Sequence, residues 1–305
     1  MGGRRIDSFR RSAPDERRTA PYPSGNPASA KGFGSMNTND DALKLKEEIL
    51  DTISVSEEPL TFGKLARISA IERKILKKAV DDLIAAGELT YTYRHGCSFI
   101  EKSFAKPVRV SRHIVLVPYG ISFSGNPGDV VIKMRHGISF GRGDHPTTRL
   151  ALCGIEQAFR GADRLKNKSD VSALDIGTGS GVLAIACILF GAKRAIGIDI
   201  DSCARKESKE NSEINGLGNR IEIPDMPVEK IEGKFSVITA NLRYPTLIGL
   251  YPMMIDLTEK KSILILSGIK VSEAEELSGF YSKKHFKCLW EEKEKDWTGF
   301  IFQRI

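Results

Sequence analysis

The sequence predicts an α/β protein: a mostly parallel sheet with an antiparallel hairpin at one edge, preceded by a small module of helices and a hairpin. Three observations predict it. From about residue 170 onward, strand-like and helix-like stretches alternate, as in parallel strands joined by helical crossovers. The chain then closes on two strand-like stretches without a helix between them, the pattern of an antiparallel edge pair. Before residue 105, apolar residues instead recur at the spacing of short amphipathic helices.

The totals are consistent with this. A chain of 305 residues is long enough for one large α/β domain and a small one. Hydrophobic residues at 41% and charged residues at 28% describe an ordinary soluble protein. The longest apolar run, Val182 to Ala192, is too short to span a bilayer and reads as a buried helix. The Arg-rich N-terminus has no apolar stretch, so no segment reads as a secretory signal. Cys97, Cys153, Cys187, Cys203 and Cys288 are widely spaced, odd in number and contain no CxxC pair. This argues against a zinc site or disulfide framework and for a reducing, cytoplasmic setting. The net charge is +7, but residues 1–35 carry seven basic against three acidic side chains, leaving +3 for the remainder. Basicity therefore says little about the partners of the folded part.

Residues 1–38 are rich in Arg, Ser, Pro and Gly and read as a disordered tail, because they cannot bury enough surface to offset ordering entropy. Residues 39–104 read as a small domain. Leu45, Ile49 and Ile53 repeat every four positions in a first helix. Thr61 caps a second helix that turns Phe62, Leu65 and Ala66 inward. Ile71, Ile75, Leu76, Ala79, Val80, Leu83 and Ile84 form the apolar face of a third, ended by Gly87. In "LTYTYRHGCSFI", two strand-like stretches flank Arg94–His95–Gly96, a hairpin turn. Three helices and a hairpin resemble a winged helix-turn-helix. The exposed positions of the third helix (Glu72, Arg73, Lys74, Lys77, Lys78, Asp81, Asp82) mix signs, whereas a dedicated DNA reader is more uniformly basic. Protein docking or a structural role is thus favoured over nucleic-acid contact.

Residues 105–305 form the large domain. "VRVSRHIVLVPYG" and "DVVIKMRHGISF" are strands rich in β-branched residues. A helix over 147–159 follows. The alternating series then runs strand 173–176, helix 181–190, strand 195–199, helix 202–215, strand 236–240, helix 246–257, strand 262–267 and helix 271–281. The closing strands lie near 286–291 and 298–305.

"ALDIGTGSGVLAIA" joins a strand to a helix through Gly177, Gly179 and Gly181. Missing side chains let a ligand approach the backbone, and the helix N-terminus favours electron-rich groups. The spacing is GxGxG rather than the GxGxxG of dinucleotide folds, which disfavours a nicotinamide cofactor. "AIGIDID" ends the next strand with Asp199, twenty-two positions after Gly177, where a carboxylate can accept both hydroxyl protons of an adenosyl ribose. Loop and acid at this spacing are the pattern of S-adenosylmethionine-dependent methyltransferases. In "FSVITANLRYPTL", Asn241 falls at the carboxyl edge of the sheet, where such folds bind ligands. Asn241 with Tyr244 and Pro245 partly matches the Asn-Pro-Pro-Tyr tetrapeptide of amine methyltransferases, Leu242 and Arg243 replacing the two prolines.

"FGRGDHPTT", "LDIGTGSGVLAIACILFGAKRAIGIDID", "ITANL" and "LILSGI" come in an order and spacing that resembles the ribosomal protein L-eleven methyltransferase family over about Lys106 to Ile305. The resemblance implies a class I methyltransferase fold, Rossmann-like, that transfers methyl groups from S-adenosylmethionine to amines of a ribosomal protein. Carried over position by position, it implies cofactor contacts at Thr148, Gly177, Asp199 and Asn241, and Phe140, Gly141, Asp175, Gly179 and Gly181 in the same motifs are expected to join them. Asn241 and a nearby backbone carbonyl are expected to orient the acceptor nitrogen, while Tyr244 and Phe140 wall the channel. The chain departs from the family in three places: Arg142 stands where a Thr is usual, Arg135–His136 where an Asp–Pro pair is common, and a winged-helix-like region where a ferredoxin-like domain grips the substrate.

The expected activity is methylation of a protein amine. One alternative moves the target to RNA or DNA, gripped by the winged helix. Another makes the chain a non-catalytic ligand-sensing regulator. No membrane and no metal is expected as a partner. In "SFGRGDHPTTRL", adjacent Asp144 and His145 have no third ligand nearby, and Pro146 fits a first helical turn, so the pair reads as a helix cap at the cofactor site.

Overall fold

In the computed structural model, which describes residues 39–56, 59–94, 97–135, 137, 141, 143, 145–161, 165 and 170–305, three helices come first. They are α1 (Asn39–Val55), α2 (Phe62–Ser69) and α3 (Arg73–Ala85). Thr61 caps α2 by accepting from the Lys64 amide at 3.2 Å. Strands β1 (Leu89–Arg94) and β2 (Cys97–Lys102) then pair antiparallel. Leu45, Ile49, Leu65, Leu76, Val80, Leu83, Leu89 and Ile100 bury against one another in a core of their own. The expected tail over 1–38 and the turn at His95–Gly96 lie outside the described residues.

Next come β3 (Val108–Arg109), β4 (Ile114–Pro118) and β5 (Val130–Met134). They form a separate sheet in which β3 runs antiparallel to β4, and β4 parallel to β5. Helix α4 (Pro146–Arg160) joins it to the main layer: Glu156 accepts from Ser111 Oγ and lies 2.5 Å from His113 Nδ1. The series continues with β6 (Ser172–Ile176), α5 (Val182–Leu189), β7 (Arg194–Ile198), α6 (Ser202–Ile214) and β8 (Ile221–Glu222). It ends with β9 (Phe235–Asn241), α7 (Tyr244–Asp256), β10 (Thr258–Lys270), α8 (Val271–Ser282), β11 (Phe286–Glu294) and β12 (Trp297–Arg304).

The main sheet has the order β11-β12-β10-β9-β6-β7-β8, an α/β Rossmann-like arrangement. Five strands run parallel, while β12 is antiparallel to both β10 and β11. The chain winds outward from β6 to β8, then returns across β6 to β9. This reversal opens a crevice at the carboxyl ends of β6 and β9. Both faces are covered, as strand alternation requires. Ile263 and Ile265 of β10 join α4 and α5 on one side, while Leu264 and Leu266 join α7 and α8 on the other.

Three differences from the sequence expectation have local causes. Strand β10 begins four residues early, because an irregularity between Thr258 and Ile263 carries a strand through a polar stretch that shows no alternation. Helix α7 begins two residues early, since Pro245 is accommodated in its first turn. Strand β8, two residues long, has no period to read. No helix among the described residues is long and apolar enough to cross a membrane.

Helix α4 lies close on the sheet because two glycines let it. A Cβ at Gly154 would sit 2.8 Å from Ile265 Cγ2, and one at Gly299 would sit 3.0 Å from Leu150 Cβ. Gly154→Val is therefore expected to lower stability in urea unfolding by about 1–3 kcal/mol through overpacking. Gly279→Ala, in an open position on α8, is expected to raise it by about 0.5–1 kcal/mol.

Candidate functional site

The "GTGSG" loop leaves β6 and enters α5, and its geometry demands glycine. Gly177, Gly179 and Gly181 have φ of 73°, 53° and 82°, a region that side chains disfavour. Behind the loop, Asp175 is 1% exposed. Its carboxylate accepts from Thr178 Oγ1 at 2.7 Å and from Thr239 Oγ1 of β9 at 2.7 Å. One buried acid thus ties the loop to the strand across the switch point. Burial pushes its carboxyl up to about 6, an effect that the two threonine hydroxyls partly offset.

In front of the loop, Asp199 follows β7. Its Oδ2 accepts from the Gly179 amide at 2.9 Å and its Oδ1 from the Asp201 amide at 2.9 Å. Each oxygen retains further acceptor capacity, so the carboxylate is held in place while still able to receive ligand hydroxyls.

The opposite wall comes from α4 and the ends of β9 and β10. His145 caps α4, its Nδ1 accepting from the Thr147 amide at 3.3 Å, and its ring packs edge-on against Trp297. Ser267 Oγ donates to the Thr147 carbonyl at 2.9 Å, and the Leu242 amide donates to the Ser267 carbonyl at 3.0 Å. Gly268, with φ of 89°, lies so near the Leu242 backbone that any Cβ would overlap it. The "HPTT", "ITANL" and "LILSG" segments therefore meet at one point.

These elements enclose a cavity of about 580 Å³, a size suited to a small organic ligand. Of the residues expected at the site, Gly141, Thr148, Gly177, Gly179, Asp199 and Asn241 line it together. Among the described residues, Thr148 Oγ1 is buried without a hydrogen-bond partner, so a polar ligand atom would satisfy a group that otherwise costs free energy. No hydrogen bond engages the Asn241 side chain among the described residues.

Three expected residues lie elsewhere. Asp175 stands behind the loop and acts through Thr178. Gly181 turns towards α6, where a Cβ would strike Ser208 Oγ. Tyr244 opens α7 facing α8, and its hydroxyl bonds Glu276. Thr246 and Leu250, four apart on α7, face the cavity, and Tyr244 is rotated about 200° from Thr246 on a helix of 3.6 residues per turn. Phe140, Arg142, Asp144 and His136 lie outside the described residues.

The sequence reading missed two contributors. Met226, Pro227, Val228 and Glu229, after β8 and into a 3-10 turn over Val228–Lys230, form the cavity's far wall. Asn211 of α6 is fully buried. Its Oδ1 accepts from the Arg135 amide at 2.8 Å and its Nδ2 donates to the Ser180 carbonyl at 2.8 Å. It couples the glycine loop to the strand that leads into the Gly141 segment. A polar stripe at Ser208, Asn211, Ser212 and Asn215 is the signal that could have found it. Among the described residues, no group of three or more His, Cys, Asp or Glu is placed to hold a metal ion.

A family model described as "Ribosomal protein L11 methyltransferase (PrmA)" matches residues 99–305. The ribosomal protein L11 methyltransferase of Pelobacter propionicus is 32% identical over 203 residues, covering 67% of this chain and 65% of the relative. That of Geobacter metallireducens is 39% identical over 201 residues, covering 65% of this chain and 62% of the relative. The chain thus matches slightly less than two thirds of these relatives' length. A solved ribosomal protein L11 methylase from Lactobacillus delbrueckii subsp. bulgaricus superposes with a TM-score of 0.58 at 27% identity, covering 65% of this chain and 98% of that one.

Two substitutions test how the loop is held. Because the folded protein retains the Asp175 proton to about pH 6 while the unfolded chain loses it near its ordinary 3.8, stability is expected to fall as pH rises through that window. Asp175→Asn should remove the slope, so the stability difference between variant and parent shifts towards the variant from about pH 4 to about pH 6 and is flat above about pH 7. Asn211→Ala should cost about 1–3 kcal/mol for each backbone group it orphans and raise hydrogen exchange at the Arg135 amide.

Proposed function

The chain belongs, over residues 99–305, to the ribosomal protein L11 methyltransferase family, and from that membership we propose that it is an S-adenosylmethionine-dependent N-methyltransferase acting on a ribosomal protein amine. The observation that carries this reading is the cavity that joins Gly177, Gly179, Asp199, Thr148 and Asn241 at the switch point of a Rossmann-like sheet. In this class I arrangement Asp199 receives the ribose hydroxyls, the glycine loop lies against the nucleoside, and Thr148 satisfies its buried hydroxyl on the ligand. When bound, S-adenosylmethionine supplies an electrophilic methyl group on a sulfonium.

The remaining work is alignment and exclusion of water. A lysine amine, with an ordinary pKa of about 10.4, must be neutral to attack. Burial beside a positive charge lowers that value, so no dedicated base is needed. Asn241 Oδ1 orients the nitrogen by accepting from it, and Leu242 and Thr246 supply the wall assigned to Tyr244 by sequence. Residues 39–104 form a winged-helix-like docking module ahead of a methyltransferase domain over 105–305.

Incubating a lysate with cofactor carrying a tritiated methyl group is expected to label one polypeptide, resistant to nuclease. Label lost to nuclease would move the acceptor to nucleic acid, and no label would contradict the reading. Asp199→Ala is expected to weaken cofactor binding in calorimetry by tenfold or more, the loss of about 1.5–3 kcal/mol. Asn241→Ala should instead lower kcat with little change in cofactor affinity.

A further inference from the structure

We propose that the groove between α3 and β1 binds an unpaired stretch of RNA, so that the module grips the nucleic acid beside the methyl acceptor. The RNA assignment rests on the ribosomal reading above; the groove's chemistry does not. On α3, Arg73, Lys74, Lys77 and Lys78 line the groove with Asp81 and Asp82, a mixture of signs that in sequence hides which charges are free. The structure changes that balance. Lys77 pairs with Asp81 at 3.1 Å, and Asp82 is taken by Lys46 of α1 at 3.2 Å. Both acids are compensated, while Lys74 and Lys78 have no acidic partner among the described residues. Arg73 is ordered over the Phe62 ring at 5.7 Å, still within the groove.

The second observation is aromatic. Tyr91 and Tyr93 lie two apart on β1, hence on one face, and are 46% and 75% exposed. Tyr91 lines the same groove as the lysines. An exposed tyrosine ladder beside uncompensated cations suits bases splayed out of a helix: cations track the phosphates and rings take the base faces. An acidic polypeptide would use the cations and leave the rings idle. Duplex DNA would want basic side chains along the whole helix, and α3 lacks them in its second half.

Fluorescence anisotropy of this 305-residue chain with a labelled single-stranded RNA oligonucleotide tests this directly. Binding should weaken steeply with salt. Lys74→Glu with Lys78→Glu should lower affinity about tenfold or more and flatten the salt slope. Tyr93→Ala, at a position too exposed to unfold the module, should lower it about fivefold or more without altering that slope. Cofactor affinity should be unchanged in both variants. Indifference of RNA binding to these substitutions, tighter binding of duplex DNA, or preference for polyglutamate would each overturn the proposal. The assay needs no methyl transfer, so its outcome stays separate from that of the labelling experiment.

Discussion

The hydrogen bonds from Thr178 and Thr239 to the buried Asp175 carboxylate are the constraint on which the site depends. They join the loop after β6 to the neighbouring strand β9, across the place where the parallel winding reverses direction. With the loop pinned from behind, the Gly179 amide is presented forward to Asp199, and Asp199 becomes part of a fixed frame. A charge buried this deeply raises its own pKa and costs stability. The cost is tolerated where rigidity of the loop matters more than stability of the strand.

The rest of the cavity is assembled by similarly short links between distant parts of the chain. Ser267 and Gly268 bring the end of β10 against the start of α4 and the turn after Asn241. Asn215 and Asn211 of α6 accept from two alternate amides, that of Lys133 within β5 and that of Arg135 just past its end. Neither link is apolar. The hydrophobic layers on the two sheet faces position the helices, and buried polar side chains then set where the loops end.

This division explains what was legible in the sequence. The alternating strands and helices, the antiparallel edge and the GxGxG loop announce themselves through period and through glycine. Asp199 and Asn241 fall at places a sequence can mark, the first just past the end of β7 and the second as the last residue of β9. The placement of Tyr244 on the α8 side of α7 is not legible in sequence, because it depends on helix phase, and α7 starts two residues before its apolar pattern does. Asp175 and Gly181 belong to the motif but serve its packing, a distinction invisible without the strand behind the loop. The Met226–Glu229 wall follows a two-residue strand and has no period at all. The mixed signs on α3 likewise hid which acids were already paired, since Lys46 reaches Asp82 from another helix.

The account stands on the claim that this cavity holds an adenosyl methyl donor with its ribose at Asp199 and its reactive end towards Asn241. A crystal structure of the protein with S-adenosylhomocysteine measures that placement directly. The predicted result is ribose hydroxyls on the Asp199 carboxylate, the nucleoside against Gly177–Gly179 and the sulfur facing the Asn241 side of the cavity, with Thr148 Oγ1 hydrogen-bonded to the ligand. A ligand bound elsewhere, or one in the cavity with no contact to Asp199, would contradict it.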